Sequence, residues 1–165
     1  MIRPATENDA EAIRDIYQPY ITDTIITFEE EPVSVEEIRS RITKILADGY
    51  PYFVYEDPET KKILGYCYSS QFRTRNAYRF CTESSLYLIN DDSVKGKGLG
   101  TLLYKHLIEE LRVRKFHTVL GVVSLPNEAS AKLHEKLGFT KCCHLRESGF
   151  KFGKWIDVGF WELIL

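Results

Sequence analysis

An excess of charge of one sign is missing from this sequence. Lys and Arg total 22 against 24 Asp and Glu, a formal net charge of −2. A chain so balanced casts no broad basic field, which argues against nucleic acid as a partner. Long apolar runs are missing too, so no segment reads as a membrane span. Met1-Ile2-Arg3-Pro4 carries a charge with no apolar run after it, unlike a secretory signal. The expectation is a cytoplasmic protein that stays off the membrane. Cysteine is scarce, and Cys67, Cys81, Cys142 and Cys143 form no C-x-x-C pair. The neighbours Cys142 and Cys143 are poorly placed to bridge each other. His106, His117, His134 and His144 do not fall at zinc-ligand spacing with the thiols. Free, mostly buried thiols and no bound metal are expected. Internal repeats, low-complexity stretches and linkers are absent. The 165 residues, 44% of them hydrophobic, suffice for one core, so residues 1–165 read as one domain.

What is present is an alternation of helical and strand patterns. Ile2-Arg3 reads as a short strand. Thr6, with Asp9 three residues on, opens a helix marked by Ala12, Ile13, Ile16, Tyr17 and Tyr20, with Pro19 near its end. Thr22 to Phe28 is β-branched and aromatic, and reads as a strand or as an extended loop lining a site. Ser34 and Glu37 form a capping box ahead of Val35, Ile38, Ile42, Ile45 and Leu46, and Gly49 closes that helix. Tyr52–Glu56 and Ile63–Phe72 read as strands around a turn at Asp57-Pro58-Glu59-Thr60. Arg73 to Tyr78 is a polar, aromatic loop. Cys81–Ile89 is a strand, followed by the turn Asn90-Asp91-Asp92-Ser93. Leu99, Leu102, Leu103, Leu107 and Leu111 mark a helix to about Lys115. Thr118–Val123 is a buried-looking strand, Asn127 caps a helix ending at Leu137, and Gly138 is its C′ residue. Phe139–Leu145 and Trp155–Leu165 complete the sheet. Trp155 and Trp161 read as packing residues of the sheet or of a subunit contact. In the last strand the apolar phase shifts between Phe160 and Trp161, the pattern a bulge would produce. The whole is a mixed α/β order, with antiparallel hairpins early and a β-α-β-α-β stretch later.

Between a strand and a helix lies Lys95-Gly96-Lys97-Gly98-Leu99-Gly100. Such a loop aims unsatisfied backbone N–H groups and the positive end of the helix dipole at its contents, which suits an anion such as pyrophosphate. It is not a P-loop, because Gly100 is followed by Thr101 rather than lysine. It is not the dinucleotide fingerprint either, because Gly96, Gly98 and Gly100 are evenly spaced. Without the P-loop lysine or a clear magnesium carboxylate, a nucleotide hydrolase is disfavoured. From these residues alone, an anion site and a plain glycine-rich helix start both stand.

Strand, Lys-Gly-Lys-Gly-Leu-Gly, long helix, strand, Asn127, short helix and Leu137-Gly138-Phe139 together resemble the GNAT acyl-CoA N-acetyltransferases. Their loop is Q/R-x-x-G-x-G/A, and Lys95 stands here where Gln or Arg is usual. Lysine keeps a cation but lacks the guanidinium fork. Further runs make the chain similar to the phosphinothricin acetyltransferase-like branch over nearly its whole length. They are Arg75-Asn76-Ala77-Tyr78, Thr82-Glu83-Ser84, Leu125-Pro126-Asn127, Leu133-His134-Glu135, and Gly149 to Trp155 with Asp157 to Trp161.

The resemblance implies a GNAT fold, with one mixed, largely antiparallel central sheet flanked by helices on both faces. It implies acetyl-CoA as co-substrate and no metal. The acceptor would be the amine of a small amino-acid-like molecule such as phosphinothricin or methionine sulfoximine, and the protein a homodimer. The family transfers the acetyl group directly, in keeping with the absence here of G-x-S-x-G or a Cys/His nucleophile arrangement. Under the resemblance Glu83 is the candidate general base, directly or through a water; as an isolated residue it reads equally as an exposed strand carboxylate. His134 stands where the branch carries a histidine near the thioester sulfur, and an imidazole relays protons near neutral pH; the alternative is a packed helix histidine. Leu86, Tyr87 and Leu88 would run along the pantetheine arm, and Lys95 to Gly100 would hold the pyrophosphate, with Asn127 and Ser130 beside the cofactor. Phe28, Arg75, Tyr78 and Val158 match acceptor-pocket positions, Arg75 suited to clamp an acidic group. Two rival readings are a GNAT enzyme for another amine (another amino acid, a polyamine or a protein N-terminus) and a non-catalytic acyl-CoA-binding module.

Overall fold

The computed structural model describes residues 1–91 and 94–165; Asp92 and Ser93 of the expected turn lie outside them. One seven-stranded sheet runs in the order β1-β2-β3-β4-β5-β7-β6. Its strands are β1 (Ile2–Pro4), β2 (Tyr52–Glu56), β3 (Ile63–Gln71), β4 (Cys81–Leu88), β5 (Thr118–Leu125), β6 (Thr140–Lys151) and β7 (Lys154–Ile164). Every pairing is antiparallel except β4 with β5. That parallel pair is joined through α3 (Leu99–Val113), as a crossover must be. Helices α1 (Ala10–Asp23) and α2 (Val35–Ala47) cover one face of β1–β4, while α3 and α4 (Glu128–Lys136) cover the other. The expected mixed, mostly antiparallel sheet between helices is what forms.

Local chemistry explains most boundaries. The Ser34 side chain accepts the Glu37 N–H at 3.0 Å and starts α2. Thr6 and Asp9 form their reciprocal box, although it opens a 3₁₀ turn that leads into α1 rather than α1 itself. Gly138 ends α4 at φ +91°, in the left-handed region that glycine occupies without strain.

Several expectations are corrected. α1 runs past Pro19 to Asp23, because Ile21 is fully buried and anchors a last turn. The segment expected as a strand or extended loop from Thr22 is therefore helical at its start and a loop from Thr24. Leu102 is exposed, and Tyr104 takes its place in the buried stripe of α3 with Leu103, Leu107 and Leu111. β6 extends to Lys151 and makes a two-residue hairpin with β7, both loop residues having positive φ (Phe152 +52°, Gly153 +71°). The phase shift in β7 is not a bulge in that strand, which pairs continuously with β5 from Asp157 to Ile164. Its first half buries Ile156 and Val158 on one face, and its second half buries Trp161 on the other. The irregularities sit in β6, after Lys141 and after Leu145. Cys142 and Cys143 are exposed because β6 is an edge strand, so only Cys67 of the four free thiols is fully buried. Trp161 packs the sheet, whereas Trp155 is exposed against the Phe150 ring.

Candidate active site

Side chains alternate along β4. Thr82, Ser84, Leu86 and Leu88 face α3 and α4, and Glu83, Ser85 and Tyr87 face α1 and α2. β4 pairs with β5 only from Cys81–Thr118 to Ser84–Gly121. Beyond that point β4 continues against β3, and β5 continues against β7. Ser85–Leu88 and Val122–Leu125 thus each keep one edge that no strand fills. A cavity of about 330 Å³ occupies the fork, lined by Ser84 to Leu88, Val122 to Ser124, Asn127, Ser130, Tyr104 and His134. Unfilled strand edges present the N–H and C=O groups that an amide-bearing chain can pair with. The Ser124 Oγ atom beside it is buried without a hydrogen-bond partner among the described residues.

A second hollow of about 260 Å³ adjoins the first. It is lined by Leu88, Ile89, Asn90, Val94, Lys95, Gly96, Gly98, Leu99 and Gly100. Gly96 (φ +72°) and Gly98 (φ +78°), the N-cap of α3, hold left-handed conformations. The loop therefore curls around the helix start with no side chain over it, as an anion cradle requires. Gly100 lies under Leu86, Leu88 and Leu133, where a Cβ would make close contact. Lys97 points elsewhere, into a separate hollow with Lys105 and Lys136. Tyr20 lines both cavities and donates its hydroxyl proton to the Leu88 carbonyl at 2.7 Å.

His134 is buried and leans on Gly121, where a Cβ would overlap the imidazole. Its Nδ1 lies 2.7 Å from the Ser130 carbonyl oxygen. A carbonyl only accepts, so Nδ1 carries the proton. Nε2 lies 2.9 Å from the Tyr104 hydroxyl, which is 2.6 Å from Ser84 Oγ, itself 3.0 Å from the Leu120 carbonyl oxygen. With a neutral imidazole, the two hydroxyl protons must serve three contacts and one goes unmade. With an imidazolium, Nε2–H points at Tyr104, Tyr104 at Ser84, and Ser84 at Leu120, and all are filled. Burial pushes the His134 pKa down, against the pull of the Ser130 carbonyl, so the resting ring is neutral with Nε2 as acceptor. The chain of hydroxyls behind it is set to reverse when a proton arrives.

Glu83 sits on the opposite face, between Ser70 of β3 and Leu120 of β5. Burial raises its carboxyl pKa above the usual range. It shares that face with Val158, which lies across from Ser124. Phe28, in the loop after α1, rests on Gly149, where a Cβ would overlap its ring. Arg75 and Tyr78 lie in the 3₁₀ turn that leads into the Glu83 end of β4. Arg75 is exposed, and Tyr78 stacks edge-on against Phe72 at 5.7 Å.

The structure thus gathers His134, Leu86, Tyr87, Leu88, Asn127 and Ser130 at the fork, and Lys95, Gly96, Gly98, Leu99 and Gly100 at the adjoining loop. Asn127 caps α4 by accepting the Ser130 N–H at 3.1 Å while lining the cavity. Glu83 and His134 lie on opposite faces, with the fork between them. Glu83, Phe28, Arg75, Tyr78, Val158 and Lys97 line neither cavity. Sequence reasoning missed Tyr104, Ser84, Tyr20 and Ser124. The one signal available was Tyr104, a polar tip inside a leucine stripe.

The GNAT acetyltransferase domain model matches residues 2–159. The chain is 38% identical to the phosphinothricin N-acetyltransferase of Streptomyces coelicolor, over 98% of this chain and 94% of that enzyme. It is 32% identical to an L-methionine sulfoximine/L-methionine sulfone acetyltransferase of Pseudomonas aeruginosa, over 99% and 94%. A crystal structure of a GNAT superfamily phosphinothricin acetyltransferase from Sinorhizobium meliloti in complex with AcCoA superposes with a TM-score of 0.94 at 35% identity, covering 100% of this chain and 88% of that one. A domain match over residues 2–159, the identity to these acetyltransferases and agreement in fold leave one conclusion: the chain belongs to the GNAT acetyltransferase family and is an acyltransferase.

Proposed function

We propose that this enzyme moves the acetyl group of acetyl-CoA to the amine of a small amino-acid-like acceptor, of the phosphinothricin or methionine sulfoximine type, by direct attack. The observation that carries the reading is the fork itself, with a desolvated carboxylate on one face and a buried imidazole–tyrosine pair on the other. Acetyl-CoA supplies an activated acyl group as a thioester. Ser85 to Leu88 would hold its pantetheine arm through their unfilled edge, with Asn127 and Ser130 opposite. The N–H groups of Lys95 to Gly100 would hold the pyrophosphate. Ser124 Oγ, orphaned in the chain alone, gains a partner when the fork is filled.

On the α1/α2 face, Glu83 takes the proton of the attacking amine, directly or through a water. Its raised pKa brings it nearer the working range of a general base. Across the fork, the carbon–sulfur bond breaks and the leaving sulfur takes the Tyr104 hydroxyl proton, which Tyr104 regains from solvent through His134, the hydroxyl chain to Ser84 and Leu120 realigning as Nε2 takes up and passes on that proton. Phe28 and Val158 wall the acceptor pocket, and Arg75 and Tyr78 meet the acceptor's acidic group at the Glu83 end of β4. The enzyme works in the cytoplasm as a homodimer, the exposed Phe150, Phe152 and Trp155 giving a second copy apolar area to cover.

The test is thiol release from acetyl-CoA by purified protein with a panel of amines. Phosphinothricin and methionine sulfoximine are expected among the best acceptors. A preference for a polyamine or a peptide N-terminus would reassign the acceptor. Binding of acetyl-CoA without turnover of any amine would make the protein a binding module.

A further inference from the structure

We propose that Lys151 is a positioning residue of the acceptor pocket: its ammonium ties the loop after α1 to the β6–β7 hairpin and so seats Phe28. This rests on the acceptor reading above. Lys151, the last residue of β6, is only 1% exposed. Its Nζ donates to the Thr27 carbonyl at 2.8 Å, across 124 positions of chain. Thr27 O is its one hydrogen-bond partner among the described residues. The cover is the Phe152 ring, 5.0 Å from Nζ and itself more than half exposed. Phe152 holds a left-handed backbone conformation that bulky residues avoid. Strain of that kind persists where the surroundings impose it.

The loop's other polar ties all run to its own side. Thr24 Oγ1 donates to the Tyr20 carbonyl, Thr27 Oγ1 meets the Tyr17 hydroxyl at 2.6 Å, and Glu29 pairs with Arg41 at 2.6 Å. Among the described residues, Lys151 supplies the one polar tie that reaches it from the hairpin. One residue beyond Thr27, Phe28 lies on Gly149, two residues before Lys151. The strut and the ring's seat are thus adjacent on both segments, and together they set the gap between loop and hairpin.

Burying an ammonium against one carbonyl and the face of a ring, with the charges of Glu29 and Glu30 only partly offsetting its desolvation, is a poor way to stabilise a fold. A methionine of similar length fills such a place without the desolvation cost. Lys151→Met should therefore melt at the same temperature or higher, while the loop loses its hold. Amide exchange of residues 24–31 should quicken about tenfold, as expected for losing one charge-assisted hydrogen bond. KM for the acceptor should rise about tenfold, with kcat and the KM for acetyl-CoA within about twofold. Gly149→Ala, which unseats the same ring, should give the same kinetic signature. The double variant should be little worse than the poorer single one.

Unchanged exchange in Lys151→Met overturns the strut. Faster exchange with an unchanged acceptor KM, or strictly additive variants, overturns its role in the pocket. If the wild-type protein accepts no amino acid, the acceptor reading fails, and the exchange measurement still decides whether the strut exists.

Discussion

Toward α3 and α4 the sheet meets Leu103, Leu107, Leu111, Val119 and Val123, with the Ser84–Tyr104–His134 chain set among them. Toward α1 and α2 it meets rings: Tyr17, Tyr52, Tyr66, Tyr68 and Tyr87, with Tyr20 at the edge. The two faces handle polar groups differently. On the aliphatic face, the hydroxyls and imidazole stand in a closed line of contacts, every one of them made once the imidazole is protonated. On the aromatic face, Arg14 Nε, Glu29 Oε2 and Ser124 Oγ are buried without hydrogen-bond partners among the described residues, and Ser69 Oγ is the counterpart exception on the other side. Orphaned groups are costly. Under the proposed mechanism, those on the Glu83 face leave groups for a substrate to meet, and the line on the other face holds shape while a proton moves through it.

The sharpest way to break this comparison is Glu83→Gln. Thiol release should fall about a hundredfold, the lower range for losing a general base. The same variant should raise the melting temperature at neutral pH. The folded carboxyl binds its proton more readily than the unfolded one does, so its contribution to stability declines as pH rises through the raised pKa. Loss of rate together with loss of stability would instead make Glu83 a structural group.

Tyr104→Phe tests the closed line. It strips the donor from His134 Nε2 and should lower kcat by about tenfold. The buried acceptors left behind should cost about 1–3 kcal/mol of stability by denaturant melt. A rate drop without any stability change would mean that the line does not share the load.

The smallest effect on turnover is expected at Asp9. It lies on the aromatic side but away from the groove, held by Arg3 through contacts of 2.7 and 2.9 Å. Burial works to raise its pKa, and the Arg3 and Thr6 hydrogen bonds outweigh it, so the pKa is lowered. Its stabilisation is present above the unfolded carboxyl pKa and is lost as pH falls through the folded one. Asp9→Asn should therefore melt lower at pH 7, flatten the acid side of the melting curve, and leave kcat/KM unchanged. An altered kcat would extend the site to β1.

How much of this could be read from the chain alone follows from sequence distance. The Ser34 and Glu37 cap, the glycine loop before α3 and Gly138 after α4 are local features, and their residue types state their geometry. Tyr104 gave only the faint signal of a polar tip, because a tyrosine in a leucine stripe otherwise reads as packing. Its partners Ser84 and His134 come from positions 20 and 30 residues away. Lys151 reads as a solvated hairpin charge until the distant loop folds over it. Cys142 and Cys143 read as core until strand order puts β6 at the edge. Which face of β4 carries Glu83 follows from alternation once its neighbours are fixed; where β4 and β5 part cannot be read from either strand.

Tyr17 and Tyr20 stand one turn apart on α1, and both rings press edge-on against Tyr87, at 4.9 and 5.1 Å. One hydroxyl meets Thr27 in the acceptor loop, and the other meets Leu88 at the end of the donor strand. Under the proposed site assignment, a single rigid rod is thereby fastened at both substrate sites. A ligand that shifts the rod at one end changes the work of binding at the other. By linkage, the factor by which the amine alters affinity for acetyl-CoA must equal the factor by which acetyl-CoA alters affinity for the amine.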